Sequence, residues 1–349
     1  NTLMQEAMND PTPAAYNPFN GGVLPSNIER AVVDVYRTNK TDLKMIDFKV
    51  SKNDLFNLPA GPVGMLLGGE YRKESFSDDR DDRLDGTIAF TDVDGDTFPY
   101  VSDVINSSPS SDSSGSRGTT SLFVEFAIPV FDNFDLQAAL RYEDASDIGS
   151  TTVGKIAFGW RVFEPLLIRG SWSEAFRAPN LITINEELVV RNNTVRNYSC
   201  TYAVDVWEAG LDPDDPNFDD AEDQLVCRGG VQRRASGSED LKPEKSTNTS
   251  IGFVWEPAES LMFTFDYWKI KKKDTIGLFG EVNHSLLDSL LRIENGLNGC
   301  AGFVGDPAVG YQNADPADLP YYENAGICPV GEMEYVEDKY ANLDTRTVA

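Results

Sequence analysis

The chain has 349 residues, 40% of them hydrophobic, and its 57 Asp and Glu against 30 Lys and Arg give a formal charge of −27. That charge repels a phosphate backbone and excludes nucleic-acid partners. A single histidine, His284, excludes HExxH metalloproteases and multi-histidine metal centres; no catalytic constellation stands out, and no cofactor is expected.

No run approaches ~20 consecutive apolar residues, so no helix of this chain spans a bilayer. A mean hydropathy of −0.35 suits a soluble protein and equally a transmembrane barrel, whose strands are only half apolar. In chain order, the first periodic segment is near Ile28–Arg37, where Ile28, Val32 and Val35 share one helical face. It is expected to be a helix within a first outer loop. Strands follow, each alternating with period two. In 63–74, Val63, Met65, Leu67 and Tyr71 oppose Glu70, Arg72 and Glu74. In 119–130, Leu122, Val124, Phe126, Ile128 and Val130 oppose Ser121 and Glu125. In 134–143, Phe134, Leu136, Ala138, Leu140 and Tyr142 oppose Asp135, Gln137, Arg141 and Glu143. In 150–163, Ile156, Phe158, Trp160 and Val162 oppose Lys155 and Arg161, and in 261–269 Phe263, Phe265 and Tyr267 oppose Thr264 and Asp266. Runs of roughly 10–14 residues exceed the usual ~5–6 and suit a tilted crossing of about 9–11.

The connections are sorted by length. Tight turns fall near Leu55–Pro62, Phe131–Asn133, Glu164–Pro165 and Glu256–Ser260. The other end holds one short turn near Asp147–Gly149 and long polar segments at about 78–117, 177–245 and 273–338, besides the leading 1–41. Loops beyond about 15 residues are uncommon in compact domains, whereas a membrane barrel has short periplasmic turns and long outer loops. The apolar rows are expected to face lipid, and Glu70, Arg72, Glu125, Arg141 and Lys155 the lumen. The expected fold is all-β: an antiparallel transmembrane barrel.

Four cysteines form two local sets, Cys200 with Cys227 and Cys300 with Cys328, none in C-x-x-C spacing. Two bridges, each inside one outer loop, fit an oxidising compartment; four free thiols are the other reading. Tyr198, Tyr202 and Trp207 lie near Cys200, where they would stack on a ligand or pack the loop's own core. Asp92, Asp94 and Asp96 have the carboxylate spacing of a calcium loop, but the glycine comes one place early and no Glu follows at the twelfth position; solvated carboxylates are the alternative.

Five motifs carry a family resemblance. Trp172-Ser173-Glu174-Ala175-Phe176-Arg177-Ala178-Pro179-Asn180-Leu181 resembles the W-S-x-x-F-R-A-P-x-L stretch of TonB-dependent receptors. Leu241-Lys242-Pro243-Glu244-Lys245-Ser246 with Gly252-Phe253-Val254-Trp255-Glu256-Pro257 resembles the family's L-x-P-E-x-S … G-x-x-W-x-P, and Asp266-Tyr267-Trp268-Lys269-Ile270 its D-Y-W-x-I. Tyr16-Asn17-Pro18-Phe19, and Pro59-Ala60-Gly61-Pro62-Val63 with Gly69-Glu70-Tyr71-Arg72, are similar to it as well. The resemblance implies an outer-membrane transporter for a scarce nutrient (siderophore, cobalamin or oligosaccharide), energised by the TonB complex through an N-terminal region. About nine strands are visible, against roughly 22 in a complete barrel of this kind, so residues 1–349 read as an internal slice without plug or closing strands. Arg177, where its strand leaves the bilayer, would pair with lipid phosphate, with plug or loop carboxylates, or with substrate. A passive porin and a secreted β-rich adhesin are the rival readings.

Overall fold

Alternation builds the wall. In a computed structural model describing residues 1–19, 26–98, 101–298, 300–302, 304–343 and 347–348, every wall segment expected from period two is a strand. The chain opens with helix α1 (Thr2–Met8) and a 3-10 turn (Ser26–Ala31), then enters β1 (Arg37–Leu58) and β2 (Gly61–Arg80). Helical turn α2 (Asp82–Asp85) and the small hairpin β3 (Phe90–Thr91) and β4 (Thr97–Phe98) lead to β5 (Ser113–Phe131). Strands β6 (Phe134–Ala145), β7 (Gly149–Phe163) and β8 (Leu166–Arg177) follow through tight turns. The next connection carries α3 (Leu181–Asn185), β9 (Val189–Arg196), α4 (Tyr198–Ala209), α5 (Asp220–Gln224) and β10 (Arg228–Ser236). The wall resumes with β11 (Glu244–Ala258) and β12 (Leu261–Lys273). The last connection holds β13 (Thr275–Gly277), α6 (Glu281–Asn295), β14 (Val309–Tyr311), α7 (Leu319–Asn324), β15 (Met333–Lys339) and β16 (Ala341–Leu343), before β17 (Thr347–Val348).

The wall is one open antiparallel sheet of nine strands, in the order β1-β2-β5-β6-β7-β8-β11-β12-β17. Every neighbour is also the next wall strand along the chain, so the sheet is a simple meander. Register breaks at Lys52/Phe56, Pro129/Phe131, Arg161/Phe163 and Trp255/Ala258 all lie at the short-turn end, where bulges tighten the twist into the turns.

Register sorts the side chains. Phe126, Ala138 and Ile156 share one cross-strand row; Leu136 pairs with Phe158, and Phe265 with Phe253. Ser121 lies between Glu70 and Glu143, and Glu125 shares a row with Ala139 and Lys155, both on the opposite face. The apolar face keeps Leu122, Leu140, Ile156, Trp172, Phe253, Phe263 and Phe265 exposed, an array no soluble wall would leave in water and which lipid would cover. The inner face is polar. Arg37 and Arg80 both grip Asp78 at 2.7 Å; Arg117 holds Asp147 at 2.8 Å and Glu74 at 3.5 Å; Arg141 holds Glu143 at 2.5 Å. Arg169 reaches over β11 to Asp266, at 3.0 and 2.5 Å, because the intervening position is Gly252; a Cβ there would collide with the Asp266 carboxylate.

One expected element differs. The helix expected near Ile28–Arg37 is only the 3-10 turn Ser26–Ala31, and Arg37 already begins β1. Val32 is 73% and Val35 40% exposed, so the supposed helical face is not buried. Pairing with β2, from Arg37 opposite Arg80 onward, draws the backbone into the ladder instead.

Candidate functional site

The two longest connections, polar in sequence, fold together into a cap at the long-connection end of the wall. Strands β9 and β10 of the first and β14 and β15 of the second make a four-stranded sheet in the order β14-β15-β10-β9. The join is the parallel pair β10–β15, running from Gln232 opposite Tyr335 to Ser236 opposite Lys339. Val195, Val231, Val309, Met333 and Val336 form one core cluster. A second gathers Cys200, Ala203 and Leu225 from the first connection with Tyr322, Ile327 and Val330 from the second. Cys200 is bonded to Cys227 and Cys300 to Cys328, so each bridge closes within one connection while the cores tie the two connections together.

Helix α6 is turned against the usual rule. Its buried residues are Ser285, Asp288, Ser289 and Arg292, whereas Val282, Leu286, Leu290 and Ile293 are exposed. The buried side is a hydrogen-bond hub. Asp288, fully buried, accepts from Arg292 Nε at 2.8 Å, the Tyr311 hydroxyl at 2.7 Å, Asp306 N at 2.9 Å and Ser199 Oγ at 3.3 Å. One carboxylate thus joins α4, α6 and β14. Burial, with the Asp288 carboxylate beside it, drives the Tyr311 hydroxyl far above its ordinary pKa.

A second hub surrounds His284. Its Nδ1 lies 2.8 Å from Asp306 and its Nε2 3.5 Å from Asp338; Asp338 also accepts from Phe279 N at 3.0 Å and Gly280 N at 3.1 Å. Burial alone would lower the His284 pKa, but hydrogen bonds to Asp338 and Asp306 outweigh it and hold the imidazole above the usual histidine value. A pKa raised on folding stabilises the fold fully below the unfolded value, near 6.5, and the stabilisation is lost as pH rises through the folded-state value. Cap stability is therefore expected to fall on raising pH from 6 to 9, and His284→Gln to flatten that slope. Hydrogen exchange of the α6 amides at pH 6, 7.5 and 9 checks this; equal slopes in both proteins would contradict it.

The structure scatters the ligand-contact candidates. Tyr202 packs against the cysteine-centred core. Trp207 meets Tyr321 edge-on, with ring centroids 4.8 Å apart, and its Nε1 donates to the Asn217 carbonyl at 3.0 Å. Tyr198 opens α4, and its backbone N–H donates to Ser285 Oγ at 3.4 Å. Arg177 ends β8 and pairs with Glu244 through two bonds of 2.7 Å, so two of the sequence motifs meet across one register position. Glu244 is buried and also accepts from Ile276 N at 2.8 Å, while the Arg177 side chain stays 69% exposed. Asp92, Asp94 and Asp96 do not gather into a metal site: the Asp92 carboxylate accepts from the backbone N–H groups of Asp94 and Asp96, closing its own turn. Among the described residues no cluster of His, Cys, Asp or Glu fit to hold a metal ion occurs.

Residues that sequence reasoning missed frame the mouth. Arg117, almost fully buried, donates to the Pro179 carbonyl at 2.8 Å, while Asn180 caps α3 by accepting from Ile182 N at 2.8 Å. Together they hold the chain where it leaves β8. A hollow of about 800 Å³ lies between the upper ends of β7, β8, β11 and β12, with Thr152, Phe176, Thr247 and Lys272 among its lining. A smaller one of about 330 Å³ in the cap is lined by Asn197, Gln224, Gln312, Asn313 and Asp318 beside Tyr322.

A family model described as "TonB dependent receptor-like, beta-barrel" matches residues 8–323. Among solved structures, a mutant of the ferric enterobactin receptor PfeA from Pseudomonas aeruginosa is similar at TM-score 0.52 and 13% identity, over 89% of this chain and 32% of that one. Another mutant of that receptor, in complex with enterobactin, is similar at TM-score 0.51 and 14% identity, over 89% and 32% of the two chains. The chain thus spans about a third of the length of these receptors. The search of curated proteins found no match. With the family model covering most of its length and the wall showing the matching architecture, this chain belongs to the TonB-dependent receptor-like β-barrels of the bacterial outer membrane.

Proposed function

We propose that this chain supplies barrel wall and ligand-capturing cap to a receptor that carries a scarce nutrient across the outer membrane, driven by the TonB complex. The observation that carries the reading is the cap: two long connections at the same end of the wall share cores, each closed by its own bridge, above a polar inner face. A passive pore has no use for so costly an ordered lid, since each ordered residue gives up about 1–2 kcal/mol of backbone entropy. No bond in the nutrient is made or broken. Tyr198, Tyr202, Trp207 and Arg177 are proposed to shape the capturing surface. The Trp207–Tyr321 pair would offer a ring edge, and the exposed Arg177 guanidinium would face an anionic ligand. Long outer connections are proposed at about 1–41, 78–117, 177–245 and 273–338, with the whole chain one barrel unit.

Ferric siderophores are the first nutrients to test, followed by cobalamin and oligosaccharides. A deletion strain should lose growth on one of these at limiting concentration and regain it from the intact gene, and uptake should stop when the proton gradient is collapsed. Uptake that persists without the gradient would replace this reading with a passive channel. Reducing both bridges in the purified receptor should loosen the cap and weaken capture while leaving wall stability nearly unchanged. In the chain-entropy model a bridge closing about 27 residues contributes roughly 3–3.5 kcal/mol, all of it within its own connection. Ligand titration with and without reductant checks this; unaltered affinity would contradict it.

A further inference from the structure

We propose that the outward face of β11 and β12 carries a binding site for the phosphate groups of an outer-leaflet lipid, formed by Lys245, Lys269, Lys271 and Lys273. Read along its outward phase, β12 runs Leu261, Phe263, Phe265, Tyr267, Lys269, Lys271, Lys273. Opposite it, β11 runs Trp255, Phe253, Ile251, Thr249, Thr247, Lys245. Both strands therefore pass from apolar and aromatic residues to lysine on one face, β12 directly from Tyr267 to Lys269 and β11 through Thr249 and Thr247 to Lys245, and the two runs of lysine meet at Lys245 opposite Lys273. The height agrees with a membrane surface. Lys269 to Lys273 stand eight to twelve positions above Leu261, about 26–40 Å along the strand at ~3.3 Å per residue. At a tilt near 40° that is roughly 20–30 Å along the membrane normal, the upper edge of an apolar band about 25 Å tall.

Charge completes the case. All eight arginines of the wall strands, from Arg37 to Arg177, project to the inner face, and seven of them hold a carboxylate there. The outward lysines do the opposite: among the described residues neither these four nor Lys40, Lys44 and Lys73, outward by register on β1 and β2, make an ion pair, in a chain with 57 acidic residues. Lys245 lies directly opposite Lys273, and Lys271 is two positions along the same face. Like charges placed opposite one another destabilise a sheet unless something anionic lies between them. Glu174, opposite Thr247, is the nearest acid in register and is exposed without bonding any of the four. A carboxylate-bearing partner protein would need to sit within the lipid boundary, whereas phosphorylated headgroups are already at that level and attract basic residues placed there.

The test uses the receptor reconstituted in vesicles of phosphatidylcholine alone, with lipid A, or with lipid A stripped of its phosphates. Thermal unfolding is followed by tryptophan fluorescence. The phosphorylated lipid should raise the midpoint by several degrees, an effect that falls with added salt; the dephosphorylated lipid should not. The K245Q/K269Q/K271Q/K273Q variant should fold in phosphatidylcholine and lose the shift, and K271Q/K273Q, with the gentler change, should lose about half of it. The all-arginine counterpart should keep it. A full shift in either glutamine variant, or an equal shift in wild type from dephosphorylated lipid or from inorganic phosphate at matched concentration, would overturn the proposal.

Discussion

Replacing Asp288 by alanine is expected to unfold the cap and leave the wall standing. The carboxylate is fully buried and, among the described residues, is the one salt-bridge partner of Arg292, itself only 9% exposed, while also accepting from the Tyr311 hydroxyl, the Asp306 N–H and Ser199. Removing one side of such a pair strands a buried cation and three further donors, a loss of about 3–5 kcal/mol. The cap has its own clusters, centred on Tyr322 and Val336, so the loss falls there. Limited proteolysis should cut between α4 and β10 in the variant while the wall strands stay protected. Asp288→Asn, which keeps an acceptor, should be intermediate. Intact cap resistance in Asp288→Ala would show that the hub is not what joins the two connections.

The second large effect separates the two faces of one strand. Leu136 lies opposite Phe158 and Ile128 on the apolar face, and Gln137 opposite Ala127 and Ala157 on the inner one. Leu136→Arg is expected to cost about 1–3 kcal/mol when the protein folds into lipid vesicles, since an arginine on the lipid-facing side must be desolvated or must thin the membrane around it. Gln137→Arg should change stability by no more than about 0.5 kcal/mol, the usual range for a substitution facing water. Urea titrations in vesicles measure both. Equal costs at the two adjacent positions would mean that the faces do not differ in solvent.

The wall was legible because its two faces meet different solvents, and that difference is written as period two. Phe263 and Phe265 against Thr264 and Asp266 suffice to phase β12, and Phe134 to Glu143 to phase β6. The cap was not legible because its order is long-range. Val195, Val231, Val309 and Val336 come from both connections, and the parallel pairing of Gln232 with Tyr335 leaves no local mark. Helix α6 conceals itself further, since Leu286, Leu287 and Leu290 point outward and its interior is Ser285, Asp288 and Arg292. Ile28, Val32 and Val35 erred in the other direction: Val32 and Val35 stay exposed, and the helical face they would share with Ile28 does not form. The motifs pointed to Arg177 and Glu244 separately, but only the register shows that they bond to each other.

This sheet is a membrane wall with lipid on one face and water on the other. Spin labels placed one at a time from 262 to 268 along β12, in receptor reconstituted in lipid vesicles, test it most directly. Accessibility to oxygen, which concentrates in lipid, should peak at positions 263, 265 and 267. Accessibility to a water-soluble nickel complex should peak at 262, 264, 266 and 268. A profile without that alternation, or one with both reagents in the same phase, would contradict the account.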